Sequence, residues 1–203
     1  MNRYVNHRFT NMYRATIGTD FFSKAVNVAG NTVTQQIWDT AGTERFQSLG
    51  SPLYRGSHCC MLVFDVTSTA SFSALDMWRK EFLIQGEPQD PSDFPFIVLG
   101  NKTDLSNREV SHAWRKALQW CEEIGAEYFE GSAKEDPDLE KPFLKAAELG
   151  LEQHSPPFFL GKSLRLRFFF QLLPPFQRVG CHSSSGVKNR TVMILPGDWS
   201  PVR

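Results

Sequence analysis

A continuous apolar run, Phe94-Pro95-Phe96-Ile97-Val98-Leu99-Gly100, breaks off into the polar segment Asn101-Lys102-Thr103-Asp104. Such a run reads as a strand covered on both faces, which restricts the fold to a sheet sandwiched between helices. Cys59 to Val66 repeats the pattern, apolar until Asp65. Between the two, Ser71 to Ile84 reads as a helix with Phe72, Leu75, Trp78 and Phe82 on one stripe. Strand, helix and strand in this order predict a mostly parallel α/β sheet.

Ligands in open sheets of this kind bind beyond the carboxyl ends of the strands. The polar segment starts there. A carboxylate at Asp104 can accept two parallel hydrogen bonds from a ring N–H and an exocyclic amine, and guanine offers that pair on one edge while adenine does not. The aliphatic stem of Lys102 can cover one face of a base while its ammonium stays in water. The plain alternative is an ordinary polar turn after a strand.

Two further segments have the same placement. Asp39-Thr40-Ala41-Gly42 follows the strand-like run Thr32 to Trp38, and Gly131-Ser132-Ala133-Lys134 follows Ala126 to Glu130. Three polar loops in this order resemble the Ras superfamily of small GTPases. Ala15-Thr16-Ile17-Gly18, Trp38-Asp39-Thr40-Ala41-Gly42, Glu44-Arg45-Phe46, Tyr54-Arg55-Gly56 and Trp78 are similar to the Rab family. Glu81-Phe82-Leu83-Ile84-Gln85 and Phe94-Pro95-Phe96 are most similar to its late-endosomal branch. The resemblance covers about residues 1 to 153.

The resemblance implies a guanine-nucleotide-dependent regulator of vesicle traffic at late endosomes and lysosomes, using GTP or GDP with Mg²⁺ and meeting Rab effectors and regulators. Asn101, Lys102 and Asp104 would read the base, Ala133 would offer its N–H to the guanine carbonyl, and Ser132 and Lys134 would flank it. Thr16 and Asp39 would serve the Mg²⁺, Asp39 through water, since that ion keeps several waters. Gly42 would sense the γ-phosphate. Phe21, Trp38 and Leu53 match the aromatic cluster that meets effectors, although Leu53 stands where an aromatic is usual. Strand Phe and Trp are also ordinary core residues.

Two departures limit the implied activity. The sequence shows no Gly-x-x-x-x-Gly-Lys-Ser/Thr phosphate loop, which in the family precedes the helix that Met1 to Asn6 continues. The expectation is an N-terminally truncated domain lacking the first strand as well. Thr43 stands where the family has the glutamine that orients the attacking water, so slow hydrolysis is expected. The alternative reading is a nucleotide-deficient shortened isoform, acting as an interaction module or without function.

The missing strand would lie between Thr32–Trp38 and Cys59–Val66, leaving two apolar edges unpaired. Leu164–Phe170 and Thr191–Leu195 are strand-like segments able to fill the gap. They belong to residues 154–203, an atypical Pro- and Phe-rich tail. From residue 156 on, Lys162, Arg165, Arg167, Arg178, Lys188, Arg190 and Arg203 face only Asp198. A basic appendage on an acidic domain suggests contact with the domain itself or weak contact with an anionic membrane. The formal net charge of zero argues against a nucleic-acid binder. Arg3, His7 and Arg8 interrupt any apolar opening, so no secretory leader is expected. Cys59 and Cys60 read as buried thiols on opposite sides of a strand, in keeping with a cytoplasmic protein. No cysteine lies among Trp199 to Arg203, so prenylation is not expected.

Overall fold

The computed structural model describes residues 1–12, 16, 18–40, 54–108, 113–135, 139–154 and 163–172. The chain opens with the short helix α1 (Asn2–Asn6), followed by the strand pair β1 (Thr19–Val28) and β2 (Asn31–Thr40). The hairpin loop is Ala29-Gly30, with φ of 48° and 78°. Positive φ at both central residues matches the right-handed twist of the paired strands.

Next come β3 (Cys59–Asp65), α2 (Thr69–Ser73), α3 (Leu75–Gly86), β4 (Phe96–Asn101), α4 (Ala113–Ile124), β5 (Glu127–Glu130), α5 (Lys141–His154) and β6 (Ser163–Leu172). The single helix expected from Ser71 to Ile84 is broken at Ala74. Two hydroxyls bond back along the chain there, Ser71 to the Ser68 carbonyl and Ser73 to the Thr69 carbonyl. Back-bonding of this kind bends or interrupts helices. Strand β4 starts at Phe96 rather than Phe94: Pro95 accepts from the Cys60 N–H but has no N–H to return.

The described sheet has six strands in the order β1-β2-β6-β3-β4-β5. Only β1 runs antiparallel to its neighbour. Strand β6 lies between β2 and β3, parallel to both, with Trp38 opposite Phe169 on one side and Cys60 opposite Phe169 on the other. The segment Leu164–Phe170 therefore fills the slot that the family resemblance gives to a different strand. Thr191–Leu195 lies outside the described residues.

Alternation along β6 explains why this segment fits. Leu166, Phe168 and Phe170 enter the core beneath α1 and α5, while Phe169 enters the core beneath α3 and α4. Phe169 is 1% exposed. Fully burying each phenylalanine contributes roughly 1.5–3 kcal/mol. Cys59 and Cys60 likewise face opposite cores. One buried polar side chain is satisfied in the first core: Gln35 accepts from the Tyr4 hydroxyl and donates to the Phe143 carbonyl at 2.7 Å. Tyr4 stacks on Phe143 with ring centroids 3.8 Å apart.

Because β2, β6, β3, β4 and β5 are mutually parallel, their carboxyl ends lie along one edge. Thr40, Leu172, Asp65, Asn101 and Glu130 close those strands. That edge is where the polar loops sit.

Candidate nucleotide-binding site

Strands β4 and β5 hand their ends to two loops stitched together through the backbone. The Gly131 N–H donates to the Gly100 carbonyl at 2.9 Å, and the Thr103 N–H donates to the Gly131 carbonyl at 3.3 Å. Lys102 takes φ of 70°, and the Leu105 N–H closes the turn on its carbonyl at 3.1 Å. Gly100 cannot be larger without displacement. A Cβ there would meet Val66 and the Tyr128 hydroxyl at 3.0 Å.

Side chains complete the junction. The Ala133 N–H donates to Asn101 Oδ1 at 3.1 Å. The Ser132 hydroxyl donates to Asp104 Oδ1 at 2.6 Å and accepts from the N–H groups of Lys134 and Glu135, each at 3.1 Å. Ser132 is 2% exposed. It thus works as a buried hub rather than a solvated loop hydroxyl. Lys134 Nζ stands 3.6 Å from Asp104 Oδ2. The Ser132 hydroxyl is the main influence holding Asp104 below the usual carboxylate range, so it stays an acceptor.

The Lys102 side chain stays 44% exposed, and its ammonium lies 2.6 Å from Asp65 Oδ2, a partner that the sequence reading did not include. Asp65 Oδ1 in turn accepts from the Thr67 N–H at 2.9 Å and the Thr67 hydroxyl at 2.7 Å. Burial pushes the Asp65 carboxyl up, but the bonds from Lys102 and Thr67 outweigh it and leave it lowered. Asp65 belongs to this site by position although the sequence reading assigned it no role. The available signal was a lone acid closing an otherwise apolar strand.

At the far end of the same edge, Thr16 hydrogen-bonds Asp39. Asp39 Oδ1 is buried with no hydrogen-bond partner among the described residues. Burial pushes the carboxyl up to about 6; the amino terminus offsets part of this, Asp20 adds to it, and the Thr16 bond lowers it. Three inter-strand steps separate the β2 end from the β4 end, roughly 14 Å at about 4.8 Å each. Phe21 and Trp38 pair across β1 and β2 with ring centroids 4.8 Å apart, and Phe21 is 49% exposed. Gly42, Thr43 and Leu53 lie outside the described residues.

A Ras family model matches residues 1–151. The chain is 58% identical over 153 residues to Ras-related protein Rab7 of Drosophila melanogaster, covering 75% of this chain and 73% of that one. It is 53% identical over 155 residues to Ras-related protein Rab-7a of Paramecium octaurelia, covering 75% and 74%. The GTP-binding protein yptV5 of Volvox carteri is 57% identical over 146 residues, 70% of either chain. The chain belongs to the Ras family, in its Rab branch.

For a Rab-family chain the edge is chemically coherent. A guanine carbonyl would share the Ala133 N–H with Asn101 or displace the Asn101 oxygen from it. The Asp104 carboxylate is preorganised as an acceptor. The Rab fold implies Mg²⁺, and the residues present fit that ion: an unpartnered buried carboxylate oxygen beside a hydroxyl suits a hard cation that takes one or two protein oxygens. Among the described residues no group of three or more His, Cys, Asp or Glu side chains forms a closed metal cage. No described helix is long and apolar enough to cross a membrane.

Proposed function

We propose that this Rab-family chain is a regulator of late-endosomal vesicle traffic that recognises guanine but holds the phosphates of GTP or GDP weakly. The observation that carries the reading is the asymmetry along the carboxyl edge. On the base side, Asn101, Asp104, Ser132 and Ala133 interlock through bonds of 2.6 and 3.1 Å. On the phosphate side, the slot that in the family leads into a glycine-rich loop holds β6, which leads into Leu173-Pro174-Pro175. Prolines carry no N–H to donate to a phosphate.

Thr16 and Asp39 would hold the Mg²⁺ shell, and Gly42 would sense the γ-phosphate. The bound ion would supply the positive charge that neutralises Asp39 and the phosphates. Each charge-assisted contact that β6 and the prolines after it do not supply costs ~1.5–3 kcal/mol, and each ~1.4 kcal/mol is tenfold in affinity. Several together shift binding by many orders of magnitude. Thr43 at the position of the water-orienting glutamine adds slow hydrolysis.

Phe21, exposed and packed against the partly buried Trp38, favours a second reading: an interaction module that meets Rab effectors or regulators without switching. Titration of a fluorescent GDP analogue with and without Mg²⁺, with Asp104→Asn as control, tests the proposal. Weak binding that Asp104→Asn abolishes is expected. Submicromolar, Mg²⁺-dependent binding would show that the phosphate side is intact.

A further inference from the structure

We infer that the part of the β1, β2 and β6 face that lies exposed around Arg165 and Arg167, short of the buried Phe169, is a docking surface for an acidic protein segment, with the two arginines as its carboxylate-binding pair. The inference rests on reading Phe21 and Trp38 as partner contacts and adds the chemistry of the partner.

The face follows from register. Thr34 lies opposite Arg165, Gln36 opposite Arg167 and Trp38 opposite Phe169. Paired residues share a face, as do alternate residues along one strand. Both arginines are therefore on the side that carries Trp38 and, across β1, Phe21. Both are exposed, although they sit on an interior strand of the sheet. Every residue that β1, β2 and β6 contribute to this face is uncharged apart from the two arginines. Arg55 and Arg108 elsewhere are satisfied by Glu87 and Glu130. Arg165 and Arg167 make no ion pair among the described residues.

Two guanidinium groups carried on one strand, with no acid paired to them among the described residues, raise the local potential and select a negative partner. Guanidinium binds carboxylate bidentately, and arginine with aromatic side chains is the combination enriched where binding energy concentrates. The spacing sets the partner's pattern. Alternate strand residues stand roughly 7 Å apart, so two carboxylates at that separation, with an apolar residue reaching Phe21 and Trp38, match the face. A sheet face of threonine, glutamine and alanine suits an extended or helical protein segment lying across it.

The test uses the whole chain and a short fluorescein-labelled peptide of alternating glutamate and leucine, read by fluorescence anisotropy, against the same peptide with glutamine for glutamate. The glutamate peptide is expected to bind, the glutamine peptide about tenfold more weakly or worse. R165E with R167E should remove the preference, and R165K with R167K should keep part of it. Added salt should weaken binding. Amide exchange over 163–172 shows whether the reversed variant keeps β6, and R165Q with R167Q replaces it if not. In the unaltered chain, NMR shift changes caused by the glutamate peptide should fall on β1, β2 and β6. Equal binding of the two peptides, or shift changes elsewhere, overturns the inference. Arginine-dependent binding to phosphatidylserine vesicles without peptide binding overturns it in favour of a membrane. Phe21→Ala separates the two layers: if it leaves peptide affinity unchanged, the effector reading of the aromatic pair fails while the arginine site stands.

Discussion

His58 and Arg167 exchange hydrogen bonds in both directions where β6 meets the start of β3. The His58 N–H donates to the Arg167 carbonyl at 2.9 Å, and the Arg167 N–H donates to His58 Nδ1 at 3.0 Å. The imidazole extends the ladder one step past Cys59, the first paired residue of β3. A backbone N–H on an inner strand would otherwise lack an acceptor.

The β6 seat is therefore expected to be sensitive at His58 and at Gly150. His58→Ala leaves the Arg167 N–H unpaired, at a cost of about 1–3 kcal/mol. A Cβ on Gly150 of α5 would sit 3.1 Å from Leu166 and 3.3 Å from His58. Gly150→Val should push α5 off β6 by more than the usual helix-propensity change. Hydrogen exchange checks both: amides of 163–172 should lose protection before those of β4. Equal loss in both strands would mean that β6 is not a separately fastened element.

Asp39 should make stability fall as pH rises. Its carboxyl is raised to about 6 by burial, with the amino terminus and Thr16 offsetting part of the effect and Asp20 adding to it. The folded chain thus holds a proton that the unfolded chain releases near pH ~3.9. Stability falls across the window from about 4 to 6 and levels off above it. At ~1.36 kcal/mol per unit the loss approaches about 3 kcal/mol. Urea denaturation of Asp39→Asn should lack this fall. Parallel curves for the two proteins would exclude the effect.

Asp65 should act with the opposite sign. Burial raises its carboxyl, but Lys102 and Thr67 more than compensate, so its folded value is depressed. The stabilisation is complete above the ordinary carboxylate range and is lost as pH drops through the depressed value. The stability gap between the unaltered chain and Asp65→Asn should be wide at pH 7 and close in acid. Lys102 should also become more mobile in the variant, readable by NMR of its side chain.

Ser132→Ala removes the hydroxyl that holds Asp104 and caps the N–H groups of Lys134 and Glu135. Loss of a buried hub of this kind costs about 1–3 kcal/mol. The Asp104 carboxyl should titrate higher, and guanine-nucleotide binding should weaken along with it. An NMR titration of Asp104 that is unchanged in the variant would remove Ser132 from this role.

Much of the layer order was legible because two signals were strong. Phe96 to Leu99 and Cys59 to Phe64 are apolar at every position, as only strands buried on both faces need to be. Asn101, Asp104 and Ala133 were also placed near one another by their positions after β4 and β5, and they are hydrogen-bonded neighbours or share the Ser132 hub. The break at Ala74 was not legible, since it depends on where two serine hydroxyls turn. The Lys102–Asp65 pair was missed because the residues are 37 apart in sequence and only the parallel pairing of β3 with β4 brings their ends together. Leu164–Phe170 and Thr191–Leu195 were both legible as strand-like segments able to fill the empty slot, and nothing in the sequence decided between them. What that pattern did not reveal is that Arg165 and Arg167 would be exposed on the face whose next β6 residue, Phe169, is buried.

The position of β6 carries a further consequence for biosynthesis. The Thr40 hydroxyl meets the Phe170 carbonyl across 130 residues of chain. Until the ribosome has released that stretch, β1-β2 and β3-β4-β5 are two unjoined halves, each exposing a bare hydrogen-bonding margin. The nascent chain is thus dependent on the last of its described strands, and chaperone engagement should persist until residues 163–172 have cleared the exit tunnel.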